Sequence, residues 1–243
     1  MAASAFSDET GAVFIHPFDH EHIVAGQGTM GLEILAQNPE VKTVVVCTGG
    51  GGLLAGTALA IKSLRPDIKV IGVQAEMAAA YPPSLAAGSP QMLPKMSTMA
   101  DGIAVGKPGD VPFAIIQQHV DEIRTVSEAS LARALLLTLE RSKLQVEAGG
   151  IAAVAAILDD PDSFEGPVVA SLSGGNIDPL LLSRVLRTGL ATTGHYFLAK
   201  LFSDFSGEAH FLFLISEKSQ HTQHNILTKS YDSNSIINTM PNK

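Results

Sequence analysis

From Gly11 to Leu190 the chain alternates two kinds of hydrophobic pattern. Short β-rich runs at Ala12 to Ile15, Thr43 to Cys47, Val70 to Val73, Glu122 to Val126 and Val168 to Leu172 read as strands. The run Thr43-Val44-Val45-Val46-Cys47 is almost wholly apolar, as expected of a parallel strand covered on both faces. Between the runs lie helical stretches. One spans Leu54 to Leu64; another starts at Ser127, an N-cap residue type, and carries Leu131, Leu135, Leu136 and Leu139 as an apolar stripe. Strand–helix alternation of this kind predicts an α/β fold, a parallel twisted sheet flanked by helices.

The pattern changes after Ala191. His195 to Phe202 reads as a strand, Ser203 to Glu208 as a turn and Ala209 to Lys218 as a short helix. Beyond Ser219 the chain is polar and aperiodic, so poor order is expected there. Residues 1–190 are therefore expected to form the main domain and 191–243 a separate, smaller piece.

Composition narrows the function. The 243 residues are 46% hydrophobic and only 16% charged, so much of the chain must be buried. A formal net charge of −8 without any Lys/Arg cluster argues against nucleic acid as a partner. No apolar run approaches the ~18–20 residues of a membrane span. Cys47 is the sole cysteine and no leader pattern opens the chain, so a cytoplasmic protein is expected.

The strongest local signal is Thr48-Gly49-Gly50-Gly51-Gly52-Leu53, between a buried strand and a helix. Several N–H groups in such a loop can face one anion, and the helix adds its positive end. A plain turn would need only one or two glycines. A P-loop is excluded, because the loop ends Gly52-Leu53-Leu54 and lacks Lys-Ser/Thr. A dinucleotide fingerprint stays open here: Gly50-x-Gly52-x-x-Ala55 fits it, with Glu76 as the ribose acid.

A second motif, Ser171-Leu172-Ser173-Gly174-Gly175-Asn176-Ile177-Asp178-Pro179, follows the strand at Val168. Tetraglycine followed downstream by Ser-Gly-Gly-Asn resembles the fold-type-II pyridoxal-phosphate (PLP) enzymes, specifically the threonine/serine ammonia-lyases. Further segments carry the likeness: Val13 to Asp19, Ile23 to Thr29, Ala100 to Val105 and Leu144 to Gly150. The dinucleotide reading leaves Ser173 to Asp178 unexplained.

The resemblance implies deamination of L-threonine to 2-oxobutanoate, or of L-serine to pyruvate, with pyridoxal 5'-phosphate as cofactor and a small amino acid as substrate. It assigns the cofactor phosphate to Gly49, Gly50, Gly51, Gly52 and the N–H of Leu53. Ser173 would face the pyridine nitrogen, where a hydroxyl suits a neutral ring. Capping of the next helix is the competing role for Ser173. Asp101 and Gly102 would line the substrate side of the ring. Glu147 would lie near it, or else be a solvent-facing acid at a helix start. Gln27 and Thr29 read as part of a packed helix start. A homo-oligomer is implied for a full-length parent.

Two departures from the family stand out. Its Schiff-base lysine follows a Ser-Phe-type pair ahead of the equivalent of His16. No lysine here precedes Lys42, and Lys42, Lys62 and Lys69 read as surface residues. An N-terminally shortened, catalytically silent chain is expected, with no catalytic residue to assign; a non-catalytic relic that holds PLP weakly or joins a longer homologue is the alternative. The cation-binding acids of the serine racemase branch align with Gln74 and Ala80, so no metal is expected. The strand–turn–helix after His195 resembles the start of an ACT-like regulatory domain. His16, His20 and His22 lack ligand spacing around Pro17, and Cys47 reads as a small core residue.

Overall fold

A computed structural model describes residues 2–192, 197–198 and 213–214. Its centre is a parallel sheet of β1 (Thr43–Cys47), β2 (Lys69–Ala75), β3 (Glu122–Val126) and β4 (Val168–Ala170), in the order β3-β2-β1-β4. Thr43 pairs with Lys69 on one side and with Val168 on the other. All five β1 residues are buried, because side chains alternate between two covered faces. Around the sheet lie α1 (Ala2–Thr10), α2 (Glu21–Gln37), α3 (Gly52–Leu64), α4 (Tyr81–Ala87), α5 (Asp110–His119), α6 (Glu128–Ser142), α7 (Ala152–Asp159) and α8 (Pro179–Thr192).

Each face has its own core. Val44, Val46 and Val70 pack with Val24 of α2, with Leu54, Ala58 and Ile61 of α3, and with Phe113 and Ile116 of α5. Val45, Cys47, Ile71 and Val73 pack with Leu131 and Leu135 of α6 and with Ala152 and Ala156 of α7. Of the expected stripe on α6, Leu131 and Leu135 enter this second core, while Leu136 and Leu139 do not belong to it. Ser127 caps that helix by accepting the N–H of Ser130 at 3.1 Å, as its residue type suggested.

The order of strands locates the site. The chain leaves β1 through α3 on one face and later returns to β1's other edge, through α6 and α7 on the opposite face, as β4. Neighbouring strands whose connections run to opposite faces leave a crevice beyond their carboxyl ends. The segments after β1 and β4, Thr48 to Leu53 and Ser171 to Ser173, open on that crevice.

Some expectations fail. Ala12 to Ile15 form no strand, and Val13 is 88% exposed. The segment lies outside the sheet of β1 to β4, and a β-favouring sequence without a strand partner does not make a strand. α1 precedes them where no helix was expected. β4 stops at Ala170, although the Ser171 N–H still donates to Val45 O at 2.8 Å. Farther on, β5 (Phe197–Leu198) pairs antiparallel with β6 (Phe213–Leu214), so the helix expected over Ala209 to Lys218 does not hold at Phe213. The turn expected at Ser203 to Glu208 and the polar tail lie outside the described residues. Among the described residues no helix is long and apolar enough to cross a membrane.

Candidate cofactor site

The crevice is a cleft of about 330 Å³ lined by Gly49, Gly50, Gly51, Gly52, Leu53, Gly102, Glu147 and Ser173, together with Phe18, Gln27, Cys47, Ile103 and Gly150. The two ends named by the sequence motifs therefore share one cavity.

At one end the loop between β1 and α3 presents unspent donors. Among the described residues, no hydrogen bond has its donor at the backbone N of Gly49, Gly50, Gly51, Gly52 or Leu53. The first bond of the helix runs from the Ala55 N–H to Gly51 O at 2.8 Å. The cap residue Gly51 has φ 105 and accepts nothing through a side chain. Consecutive unsatisfied amides at a helix start are a ready anion site. The chemistry of this donor set fits a phosphate ester.

The glycines also have reasons internal to the protein. A Cβ on Gly50 would lie 2.4 Å from the Phe18 ring, and one on Gly51 would lie 1.9 Å from the Tyr81 hydroxyl. Glycine number alone therefore marks close packing as much as ligand approach. The idle N–H groups are what point to an anion.

Ser173 stands at the other end. It is not a helix cap, since Asp178 caps α8 by accepting the N–H groups of Leu180 (2.9 Å) and Leu181 (3.0 Å). Its own N–H donates to Gly150 O at 3.2 Å, which ties the Ser-Gly-Gly-Asn loop to the turn before α7. Glu147 lies on no helix and holds the same loop: Asn176 N–H donates to its Oε2 at 3.2 Å, and its N–H donates to Gly174 O at 3.1 Å. The carboxylate fits because Gly102 and Gly174 lack side chains; a Cβ on either would stand within 2.5 Å of it.

Other expected residues fall elsewhere. Asp101 is exposed and outside the lining, its carboxylate accepting the neighbouring Gly102 N–H at 2.9 Å. Glu76, the acid a dinucleotide would need, is exposed and also outside the cleft. Thr29 is exposed, its hydroxyl donating to Gly26 O at 2.7 Å. Gln27, assigned to helix packing, instead reaches the cleft wall. Phe18 was quoted only within a motif and covers the glycine loop. Neither carried a local signal, because α2 and the segment before it are brought to the loop only by packing against α3.

Histidines act locally. His16 Nδ1 accepts the Asp19 N–H at 2.8 Å, and His20 Nδ1 caps α2 by accepting the His22 N–H at 3.1 Å. Among the described residues no group of three His, Cys, Asp or Glu could hold a metal.

Cys47, the last residue of β1, is 3% exposed and packs against the turn before α7. Its Sγ sits 3.3 Å from Gly150 O and accepts the Ala153 N–H at 3.4 Å. Burial pushes the thiol up from its ordinary value, against bonds from Ser171, Ala153, Ser173 and Ala152 that favour the thiolate. A neutral, shielded thiol is expected. Alkylation by iodoacetamide at neutral pH should be at least about tenfold slower in the native chain than in denatured chain; equal rates would contradict this environment.

A parallel sheet with a phosphate-type loop and a serine at its switch point defines an enzyme-like small-molecule site. Residues 1–174 match the family model described as "Pyridoxal-phosphate dependent enzyme", and the chain belongs to that family. It is similar to L-threonine ammonia-lyases of Thermotoga maritima (45% identical over 193 residues, 79% of this chain and 48% of the relative) and Geobacter sulfurreducens (44% over 201 residues, 82% and 50%). The chain thus spans about half the length of the curated relatives it matches. A solved threonine deaminase from the organism abbreviated T.th. superposes with a TM-score of 0.70 at 42% identity, covering 73% of this chain and 61% of that one.

Proposed function

We propose that this chain provides the cofactor-holding part of a PLP-dependent ammonia-lyase that deaminates L-threonine to 2-oxobutanoate, with L-serine to pyruvate as a second reaction. The reading rests above all on one observation: idle amides at Gly49 to Leu53 and the serine at position 173 line the same cleft. In it, the loop amides hold the cofactor phosphate and the Ser173 hydroxyl donates to the ring nitrogen. Gly102 lines the ring side of the cleft and leaves room for the Glu147 carboxylate, which holds the Ser173 loop in place. Bound PLP would supply the electron sink for loss of the Cα proton and the β-hydroxyl group. A neutral serine donor leaves that sink moderate, which favours elimination over reactions needing a long-lived carbanion. A cytoplasmic location, and a homo-oligomeric longer parent, belong to the same proposal.

A second reading is a chain that holds PLP without turning over substrate, alone or beside a longer homologue. It is favoured by the lining, in which no lysine stands among the described residues. The two readings give one experiment. Titration with PLP should saturate and raise the melting temperature, whereas NAD should do neither. Borohydride treatment should leave no stoichiometric pyridoxyl-lysine in the cleft, and the purified 243-residue chain should release no keto acid from L-threonine. Protection by NAD in place of PLP would reject the cofactor assignment. PLP-dependent turnover by this chain alone would reject its inactivity.

A further inference from the structure

The sequence motifs leave Tyr81 without a role, yet it is the largest fully buried side chain among the described residues. It opens α4, where its backbone N–H donates to the buried Gln74 Oε1 at 2.9 Å. From there the ring crosses beneath the glycine loop, stacked on Phe113 with centroids 6.3 Å apart. Its hydroxyl donates to Gly50 O at 3.1 Å. The Gly109 N–H donates to the same oxygen, also at 3.1 Å.

We propose that Tyr81 is a positioning residue for the phosphate loop: by holding the Gly50 carbonyl inward, it turns the Gly51 N–H outward into the cleft. The reason is the geometry of one peptide. C=O and N–H of a trans peptide point in opposite directions, so fixing the first fixes the second. Two donors on Gly50 O therefore set the direction of the Gly51 N–H, which has no acceptor among the described residues. Gly51, at φ 105, has few steric limits of its own, so this orientation has to come from outside the residue. Burial, with the Asp19 charge as a lesser cause, keeps the phenol protonated far above neutral pH, so it stays a donor. Gln74 acts one step further back, setting where Tyr81 enters the core.

This inference deepens the cofactor reading and rests on it for the identity of the anion. Tyr81→Phe keeps the ring and its packing and removes only the hydroxyl. The test compares wild-type and Y81F chains for binding of PLP, of pyridoxal (the same ring without the phosphate) and of inorganic phosphate. We expect Y81F to weaken PLP and inorganic phosphate about tenfold, the scale of one lost hydrogen bond to a charged ligand site, with pyridoxal unchanged. Equal weakening of PLP and pyridoxal, or no change in either, overturns the proposal. Wild-type chain that binds phosphate in a Tyr81-dependent way but not PLP overturns the cofactor reading and upholds the positioning role. Should Y81F fold poorly, amide exchange at Gly51 in the wild-type chain decides. Phosphate must slow it; exchange indifferent to phosphate overturns the role.

Discussion

Gly150→Ala is expected to lower stability by about 3 kcal/mol or more, the range of severe core overpacking. The new Cβ would stand 1.3 Å from Ser173 O and 2.5 Å from Ser173 C. Those atoms are backbone and cannot rotate away. The same glycine accepts the Ser173 N–H through its carbonyl and donates to Glu147 O at 3.0 Å. Relief therefore requires the Ser-Gly-Gly-Asn loop to separate from the turn before α7, carrying Ser173 off its place in the cleft. Urea denaturation measures the loss as a shift of the midpoint at unchanged slope. The same variant should bind pyridoxal more weakly, because its damage falls at the ring end. A midpoint equal to wild type would mean the two backbones are less tightly joined than these distances require.

Gly51→Ala should be nearly as damaging, with its damage at the phosphate end. An alanine at φ 105 costs roughly 1–2 kcal/mol for the left-handed conformation. Its Cβ would also meet the Tyr81 hydroxyl at 1.9 Å and Pro112 Cβ at 2.9 Å, adding roughly 1–3 kcal/mol of overlap. Tyr81 is fully buried and cannot swing into solvent. The loop peptide has to give instead, which turns at least one amide away from the anion. We expect a clear drop in melting temperature, and PLP affinity reduced tenfold or more with pyridoxal affected far less. Calorimetry measures the first and titration the second. Full retention of PLP affinity would remove the glycine loop from cofactor binding.

Both predictions depend on features that sequence reading approached only in part. The tetraglycine run was legible as an anion loop, but on the argument that a turn needs fewer glycines. In the fold, Gly50 and Gly51 are required by Phe18 and Tyr81, which are distant in sequence and gave no local signal. Ser173 and Glu147 were legible as motif members, with competing roles left open. Contacts remove one alternative for Ser173, because Asp178 takes the cap, and they set Glu147 between two glycine backbones. Asp101 was named from its motif, yet its carboxylate turns onto its own neighbour's N–H. Gln27 was read as part of a packed helix start, yet it reaches the cleft wall.

What the amino-acid order determined by itself is local. Short, nearly continuous apolar runs and apolar stripes with helical period specify strands and helices wherever a partner exists, and Ser127 begins its helix by bonding a residue three positions on. Tertiary structure decided everything that depends on which element lies beside which. It denied Ala12 to Ile15 a neighbouring strand, and it set β4 against β1 so that two loops far apart in the chain face one cavity. It also brought the Tyr81 hydroxyl to the Gly50 carbonyl. Periodicity reports the face a residue occupies on its own element. Strand order and helix packing decide what that face meets.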